Sequence, residues 1–420
     1  MDDLVRPRRQ LLDIYSHALR AVDGRERVRR TLADTPLPGP LWCCAIGKAA
    51  ASMTLGACDA LGTGLRGGLL ITKDGHLPSL TRGGRDAARL AAHGIIGLVA
   101  GHPLPDARSL AAGARLLDWL ATRPADARFL FLISGGASSL VEVPIAGLGL
   151  AEVRRLNDWL LSHAIPIETM NRVRAAVSRI KGGGLLGALH GRPARVLAIS
   201  DVPGNDPSLI GSGLLAPMRE LPRHLAPLAL PAWLRDWVER GLAERPADLA
   251  PGPAIELVAT LDMALEAAAV AGRGAGLPVW RHEQSVVGEA GAAGHRLAAA
   301  LRAGPPGLHV WGGETTVSLP AVPGRGGRNQ HLALAAAIEL AGRTDLLLLS
   351  AGTDGSDGPS EDAGALVDGL TLQRVAEAGF DARDALTRAD SGTVLEASGD
   401  LIRTGPTGTN VTDLMLGWRS

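Results

Sequence analysis

The chain has 420 residues, 46% hydrophobic and 20% charged, with a formal net charge of zero. That length exceeds one ordinary core and implies two or three domains. The neutral balance and the 3% aromatic content exclude a basic field or a base-stacking platform for nucleic acid, and no run of about 18 apolar residues offers a membrane span.

Residues 8–33 read as a helix. Leu41–Ile46 reads as a strand that ends at Gly47-Lys48 and opens a helix over 49–61. Strands follow near 68–72 and 95–100, with a helix after Pro105. Arg128–Ile133 (RFLFLI) is a continuous apolar run, as in a strand buried on both faces, and it ends in Ser134-Gly135-Gly136. Helices are predicted over 150–164 and 168–181, and a further buried strand over 195–200. Residues 215–253 are rich in Pro, Leu and Arg and read as a linker or irregular helical segment. A second unit then has strands at 255–259, 308–311 and 346–350 and helices at 261–274 and 329–342. Strands alternating with helices predict an α/β protein. We expect a Rossmann-like doubly wound domain over 1–225, a second, smaller α/β domain over 226–420, and an active site in the cleft between them.

Cys43, Cys44 and Cys58 are the three cysteines. An odd number with two adjacent matches neither a disulfide framework nor a zinc site. The first residues lack the features of a secretory leader. A cytoplasmic protein with reduced core thiols is therefore expected. Only three of the 43 basic residues are lysines: Lys48, Lys73 and Lys181. In a chain that otherwise uses arginine, a lysine suggests a task for a compact point charge.

The strand ends carry the chemistry. Ligands of open α/β sheets bind beyond the carboxyl ends of the strands. Gly47-Lys48 delivers a cation to a helix mouth. It is not a Walker A loop, since Trp42 occupies the first glycine position and Ala49 replaces Ser or Thr. Ser134-Gly135-Gly136-Ala137-Ser138-Ser139 has the composition of an anion nest. At helical spacing Asn171, Arg174, Ser178 and Lys181 form one polar stripe on one face of the predicted 168–181 helix. Gly182–Gly187 fits G-x-G-x-x-G, but it follows a helical stripe rather than a strand, which argues against a dinucleotide site. Asp201 and Asp206 follow a strand and suit Mg²⁺. In the second unit, Glu314 follows a glycine pair, Arg325 and Arg328 are framed by glycines at a helix start, and Asp354 and Asp357 share one loop. Thr407 and Asn410 lie in a last glycine-rich loop.

At these positions the sequence resembles the class II glycerate 2-kinase family, whose C-terminal part is called the MOFRL domain. The stretches that carry the likeness include GKAA (47–50), TKDGH (72–76), GHPLPD (101–106), LISGGASSL (132–140), NRVRAAVSRIKGG (171–183), SDVPGND (200–206) and IGSG (210–213). GGETTV (312–317), GRGGRNQ (324–330), GTDGSDGP (352–359) and TGPTGTNVTDL (404–414) continue it. Ala137, Asn205 and His331 depart from the residues usual there.

The resemblance implies transfer of the γ-phosphoryl group of ATP, with Mg²⁺, to the 2-hydroxyl of D-glycerate, by a monomer or homodimer with no nucleic-acid or membrane partner. The alternative is an NAD(P)H-dependent hydroxypyruvate reductase, a label some relatives carry. On the kinase reading, Lys48 and the Ser134–Ser139 loop hold anionic oxygens. Arg325 or Arg328 stabilises the moving phosphoryl group, and Asp357 or Glu314 orients or deprotonates the hydroxyl. Ser134, Gly135, Gly136, Ser138, Ser139, Lys181, Gly182, Asn329, Thr407 and Asn410 are the candidate nucleotide-binding residues. Asn171 and Arg174 are candidates for the substrate, with Lys181 an alternative for its carboxylate. Asp201, Asp206 and Asp354 are candidates for the metal.

Overall fold

The computed structural model describes residues 2–78, 84–163, 165–245 and 251–420. They form two compact units. One comprises residues 24–258, and the other residues 1–23 with 259–420.

The first unit is built on a six-stranded sheet. Its strands are β1 (Leu41–Ile46), β2 (Leu65–Lys73), β3 (Ile95–Ala100), β4 (Arg128–Ile133), β5 (Ala194–Ile199) and β6 (Ile255–Ala259), in the order β3-β2-β1-β4-β5-β6. β1 pairs in parallel with both β2 and β4; β2 with β3 and β4 with β5 are also parallel. This is the doubly wound strand order, and it reverses direction between β1 and β4. The apolar runs of β1 and β4 are buried because helices cover the sheet: Phe129, Phe131 and Ile133 pack with Leu116, Trp119 and Leu185.

The second unit has a mixed seven-stranded sheet. Its strands are β7 (Val279–Arg281), β8 (Val286–Glu289), β9 (Gly307–Thr316), β10 (Leu346–Gly352), β11 (Gly364–Asp368), β12 (Leu401–Ile402) and β13 (Asp413–Arg419). The order is β12-β11-β10-β13-β9-β7, with β8 also on β9. β10 is antiparallel to β11 and β13, and β13 to β9, whereas β7 and β8 run parallel to β9. The helix Arg328–Leu340 packs its Leu332, Ala333, Ala336 and Leu340 into the core beside Leu346, Leu348 and Met415.

The division differs from the expected 225/226 boundary in two ways, with physical causes. The predicted helix over 8–33 is two helices, Asp2–Ala21 and Gly24–Asp34. The first of them belongs with the C-terminal residues, because Arg8 bonds to Asp368, to the Leu366 carbonyl (2.9 Å) and to Asp400 (2.8 Å). In addition, the buried Tyr15 hydroxyl donates to the Gly352 carbonyl at 2.7 Å. The segment read as a linker over 215–253 carries helices Leu221–Leu225 and Ala232–Glu244. Their Leu221, Leu225, Leu234 and Val238 complete a core with Leu156, Leu160 and Val173. Residues 246–250 of that segment, and residue 164 at the end of the predicted 150–164 helix, lie outside the described residues.

Candidate active site

The strand-order reversal in the first unit brings together two loops predicted to bind anions. Gly47 and Lys48 leave β1 while Ser134-Gly135-Gly136 leaves its neighbour β4. The Ser134 N–H donates to the Ile46 carbonyl (3.0 Å), and the Lys48 N–H to that of Gly135 (2.9 Å). The Ala49 N–H donates to Ser134 Oγ at 3.0 Å. Gly47 has φ +135°, and a Cβ there would lie 2.1 Å from Ser134 Oγ, so the close approach requires glycine. The Lys48 stem runs past Gly136, where an added Cβ would meet Lys48 Cγ at 3.3 Å and His102 Nε2 at 3.1 Å. The Ser139 hydroxyl donates back to the Gly136 carbonyl at 3.1 Å.

Two histidines here escaped the sequence reading. His76 Nδ1 lies 2.9 Å from the Lys48 carbonyl, and His102 flanks Gly136. Both follow strand ends, β2 and β3, and that was the available signal. Lys73 closes β2.

The stripe drawn from Asn171 to Lys181 does not exist as a helical face. The helix is Ile167–Ala176, and the chain then turns, with Ser178 bridged to Pro144. Asn171 and Arg174 remain on the helix. Lys181 is 2% exposed. It pairs with Glu142, whose other oxygen accepts from Ser178 Oγ at 2.6 Å. Burial lowers the Lys181 pKa against the opposing pull of Glu142. Lys181 is thus a structural ion-pair partner, a correction to its expected ligand role. Gly182 is likewise internal, its N–H donating to the Ser212 carbonyl at 2.9 Å. Removing one partner of a buried pair strands the other charge, at a cost of about 3–5 kcal/mol. Lys181→Met should therefore lose stability of that order in urea unfolding, and Glu142→Gln in the same chain should restore part of it.

The Gly182–Gly187 run follows this turn and no strand, and a short helix, Leu185–Leu189, leads on to β5. A dinucleotide fingerprint needs a strand before it, and the first strand of this sheet instead delivers Gly47-Lys48. Asp206 accepts from the Ser208 N–H at 2.8 Å as a local turn cap. Asp201 lies half-buried in the turn after β5.

In the second unit the two arginines part company. Arg325 joins a peripheral network, with Nη2 2.6 Å from Asp362 and a further bond to Glu396, and Arg403 shares both acids. Arg325 is thus engaged by two carboxylates at once. Arg328 begins the helix Arg328–Leu340. Its Nε and Nη2 grip the fully buried Asp413 at 2.6 and 3.0 Å, and its Nη1 meets Glu314 at 2.9 Å. Burial alone would lower its pKa, but the Asp413 and Glu314 carboxylates raise it.

Asp357 is 1% exposed. It accepts from the backbone N–H groups of Asn329 (3.0 Å) and Gln330 (2.8 Å). It therefore caps the helix from 28 residues away and is almost wholly buried, so Glu314 is the more accessible of the two candidate bases. Asn329 is also spent internally, its Oδ1 accepting from Ser350 Oγ at 2.7 Å. Burial pushes Asp357 up to about 7, against those N–H donors, with Asp413 adding repulsion and Arg328 opposing it. A carboxyl whose folded pKa is raised contributes stability at low pH that is lost as pH rises through the folded value. Between about pH 5 and pH 8, wild type should lose thermal stability relative to Asp357→Asn; a parallel pH profile of the two melting temperatures would contradict this.

Burial raises the pKa of Tyr15, and the charges of Asp354, Asp413 and Asp357 add to the rise. Asp354 accepts from the Ser356 N–H at 2.9 Å. The loop between β12 and β13 packs beside them. Thr407 Oγ1 donates to the Thr353 carbonyl at 2.5 Å, and Asn410 is 5% exposed. The hydroxyls of Thr315, Thr409 and Thr412 are buried without hydrogen-bond partners among the described residues. Thr412 sits at φ +74°, a costly conformation for a β-branched residue and one concentrated at functional sites. Among the described residues no group of three or more His, Cys, Asp or Glu side chains could hold a metal by itself.

Comparison with known proteins adds to this geometry. Residues 10–227 match the model of a domain of unknown function, DUF4147, and residues 307–413 that of the MOFRL family. A D-glycerate 2-kinase of Thermotoga maritima is 33% identical over 97% of each chain. An Agrobacterium vitis protein with a provisional hydroxypyruvate reductase name is 38% identical over 88% of this chain and 96% of its own. The crystal structure of a Thermotoga maritima glycerate kinase superposes with a TM-score of 0.82 at 32% identity, covering 99% of this chain and 100% of that one.

Proposed function

The chain belongs to the class II glycerate kinase family, and on that premise we propose that it transfers the γ-phosphoryl group of ATP to the 2-hydroxyl of D-glycerate. The observation that carries the reading is the interlock of Gly47-Lys48 with Ser134–Gly136 at the strand-order reversal, the place where such sheets bind ligands. Phosphoryl transfer asks a protein mainly for positioning and charge neutralisation. Lys48 and the Ser134–Ser139 loop supply a point charge and backbone dipoles for anionic oxygens. Arg328, its fork oriented by Asp413, supplies charge to the phosphoryl group. Glu314, half-exposed, takes or orients the proton of the acceptor hydroxyl.

Magnesium fits the loop after β10, where the carboxylate of Asp354 stands close behind the strand end. The ion needs only a carboxylate or two and completes its shell with phosphate oxygens and water. We assign Asp354 to it, where it would neutralise phosphate charge. The orphaned hydroxyls of Thr409 and Thr412, on either side of Asn410, suit polar contacts to nucleotide or substrate.

The test is ADP release from ATP, Mg²⁺ and D-glycerate with purified protein, with the product identified by phosphorus NMR. The result expected is 2-phosphoglycerate, with no NADH oxidation on hydroxypyruvate. NADH oxidation without ADP release would overturn the reading in favour of a reductase. Chelation of Mg²⁺ should abolish turnover reversibly.

A further inference from the structure

We infer that Ser212 is a positioning residue, orienting the side-chain amide of Asn171 toward a small hydroxy acid whose carboxylate pairs with Arg174. The inference rests on the glycerate kinase reading and names the acceptor end of it.

Asn171 is 6% exposed. Its Oδ1 accepts from Ser212 Oγ at 3.0 Å. A carboxamide oxygen only accepts, so Ser212 spends its one proton there. The 2.7 Å contact between Ser138 and Ser212 therefore has Ser138 as donor. The relay runs in one direction, from the loop after β4 through Ser212 to Asn171. It leaves the Asn171 NH₂ turned away from Ser212 and without a hydrogen-bond partner among the described residues. The nitrogen is not among the buried polar atoms that lack a partner, so this amide donor reaches solvent from a residue that is otherwise buried and can meet an incoming acceptor.

The backbone at Ser212 points the same way. Its φ is +56°, between Gly211 at +58° and Gly213 at +65°. Left-handed backbone is costly for any residue with a Cβ, and a third glycine would remove the cost. The Gly182 and Gly183 N–H groups hold the Ser212 and Gly213 carbonyls at 2.9 and 2.6 Å. The hydroxyl is thus held in place by a pinned backbone, which is what an orienting group requires.

Arg174 lies one turn further along the helix on the same face. Its Nε donates to Asn157 Oδ1 at 3.0 Å, and Asn157 is itself anchored to the Val153 carbonyl at 2.8 Å. The Nη nitrogens form no ion pair among the described residues. The carboxylate that Arg174 senses, Glu142, is already engaged by Lys181 and Ser178. A largely buried guanidinium with a neutral partner on Nε and open Nη groups is suited to an incoming carboxylate, and the Asn171 NH₂ beside it to an oxygen of the same ligand.

The experiment compares wild type with Ser212→Ala, Ser212→Gly, Asn171→Ala and the Ser212→Ala/Asn171→Ala double variant. Steady-state kinetics would vary D-glycerate and ATP separately, with D-glycerate binding followed by calorimetry and folding by thermal melting. Both Ser212 variants should raise the D-glycerate KM about tenfold, leave the ATP KM within about twofold, and melt near wild type. The double variant should be no worse than Asn171→Ala alone, because both act through one amide. Ser212→Gly separates the hydroxyl from backbone strain: if it matches wild type, the hydroxyl has no orienting role and the inference fails. An equal rise in both KM values, or additive losses in the double variant, also overturns it. Should wild type release no ADP with D-glycerate, the kinase reading fails by itself. Calorimetry then still decides: D-glycerate binding weakened by Ser212→Ala upholds the assignment, and its absence or insensitivity sinks it.

Discussion

Arg328→Ala should reduce kcat/KM for phosphorylation of D-glycerate by about 10³-fold or more, the scale on which an arginine stabilises a transferring phosphoryl group. The same substitution should destabilise the fold. Asp413 is fully buried and paired bidentately with Arg328, and leaving such a carboxylate alone costs about 3–5 kcal/mol. Arg328→Lys separates the two effects. A lysine keeps a charge near Asp413 but loses the planar fork that holds Asp413 and Glu314 together. Stability should then recover in large part while kcat stays far below wild type. Urea unfolding alongside turnover per folded molecule checks both halves, and near wild-type turnover of folded Arg328→Ala would remove the arginine from the mechanism.

Lys48→Met should lower kcat/KM by about 10²–10³-fold, the cost of removing one preorganised donor from developing charge, with little change in melting temperature. The backbone bonds that join the two loops, Lys48 N–H to Gly135 and Ala49 N–H to Ser134, persist whatever side chain stands at position 48, so the loop geometry should survive the substitution. The contrast with Lys181→Met is diagnostic. Two lysines in one unit are expected to divide their effects, the first in activity with the fold intact, the second in stability. Arg325→Ala offers a third comparison: its partners Asp362 and Glu396 retain Arg403, so it should affect turnover far less than Arg328→Ala.

Much of the architecture was legible in the chain because local chemistry encodes it. The runs LWCCAI and RFLFLI read as strands, the second as one covered on both faces, and the glycines that follow mark where those strands end. Gly47 was readable as a turn residue. Its second requirement, to let Ser134 approach to hydrogen-bonding distance, was not, because it depends on β1 lying beside β4. The stripe from Asn171 to Lys181 failed because a helical projection assumes an unbroken helix. The turn after Ala176 sends Lys181 inward to a glutamate 39 residues away. Asp357 read as a strand-end acid among acids; that it caps a helix beginning at Arg328 is a pairing between distant segments.

By itself, then, the sequence determined the residue types at the strand ends, the scarcity of lysine that singled out Lys48, and the α/β alternation. Each is local, set by side-chain size, backbone freedom and periodicity over a few residues. Only the tertiary structure decided which of these residues meet. It set Lys48 against the Ser134 loop, placed Arg328 between Asp413 and Glu314 and Arg325 against Asp362 and Glu396, buried Lys181 in an ion pair, and joined Ser138 to Asn171 through Ser212. The physical reason is that strand order and helix ends are fixed by packing across the whole sheet, and hydrogen bonds between chemically similar candidates form only where packing brings a donor to an acceptor.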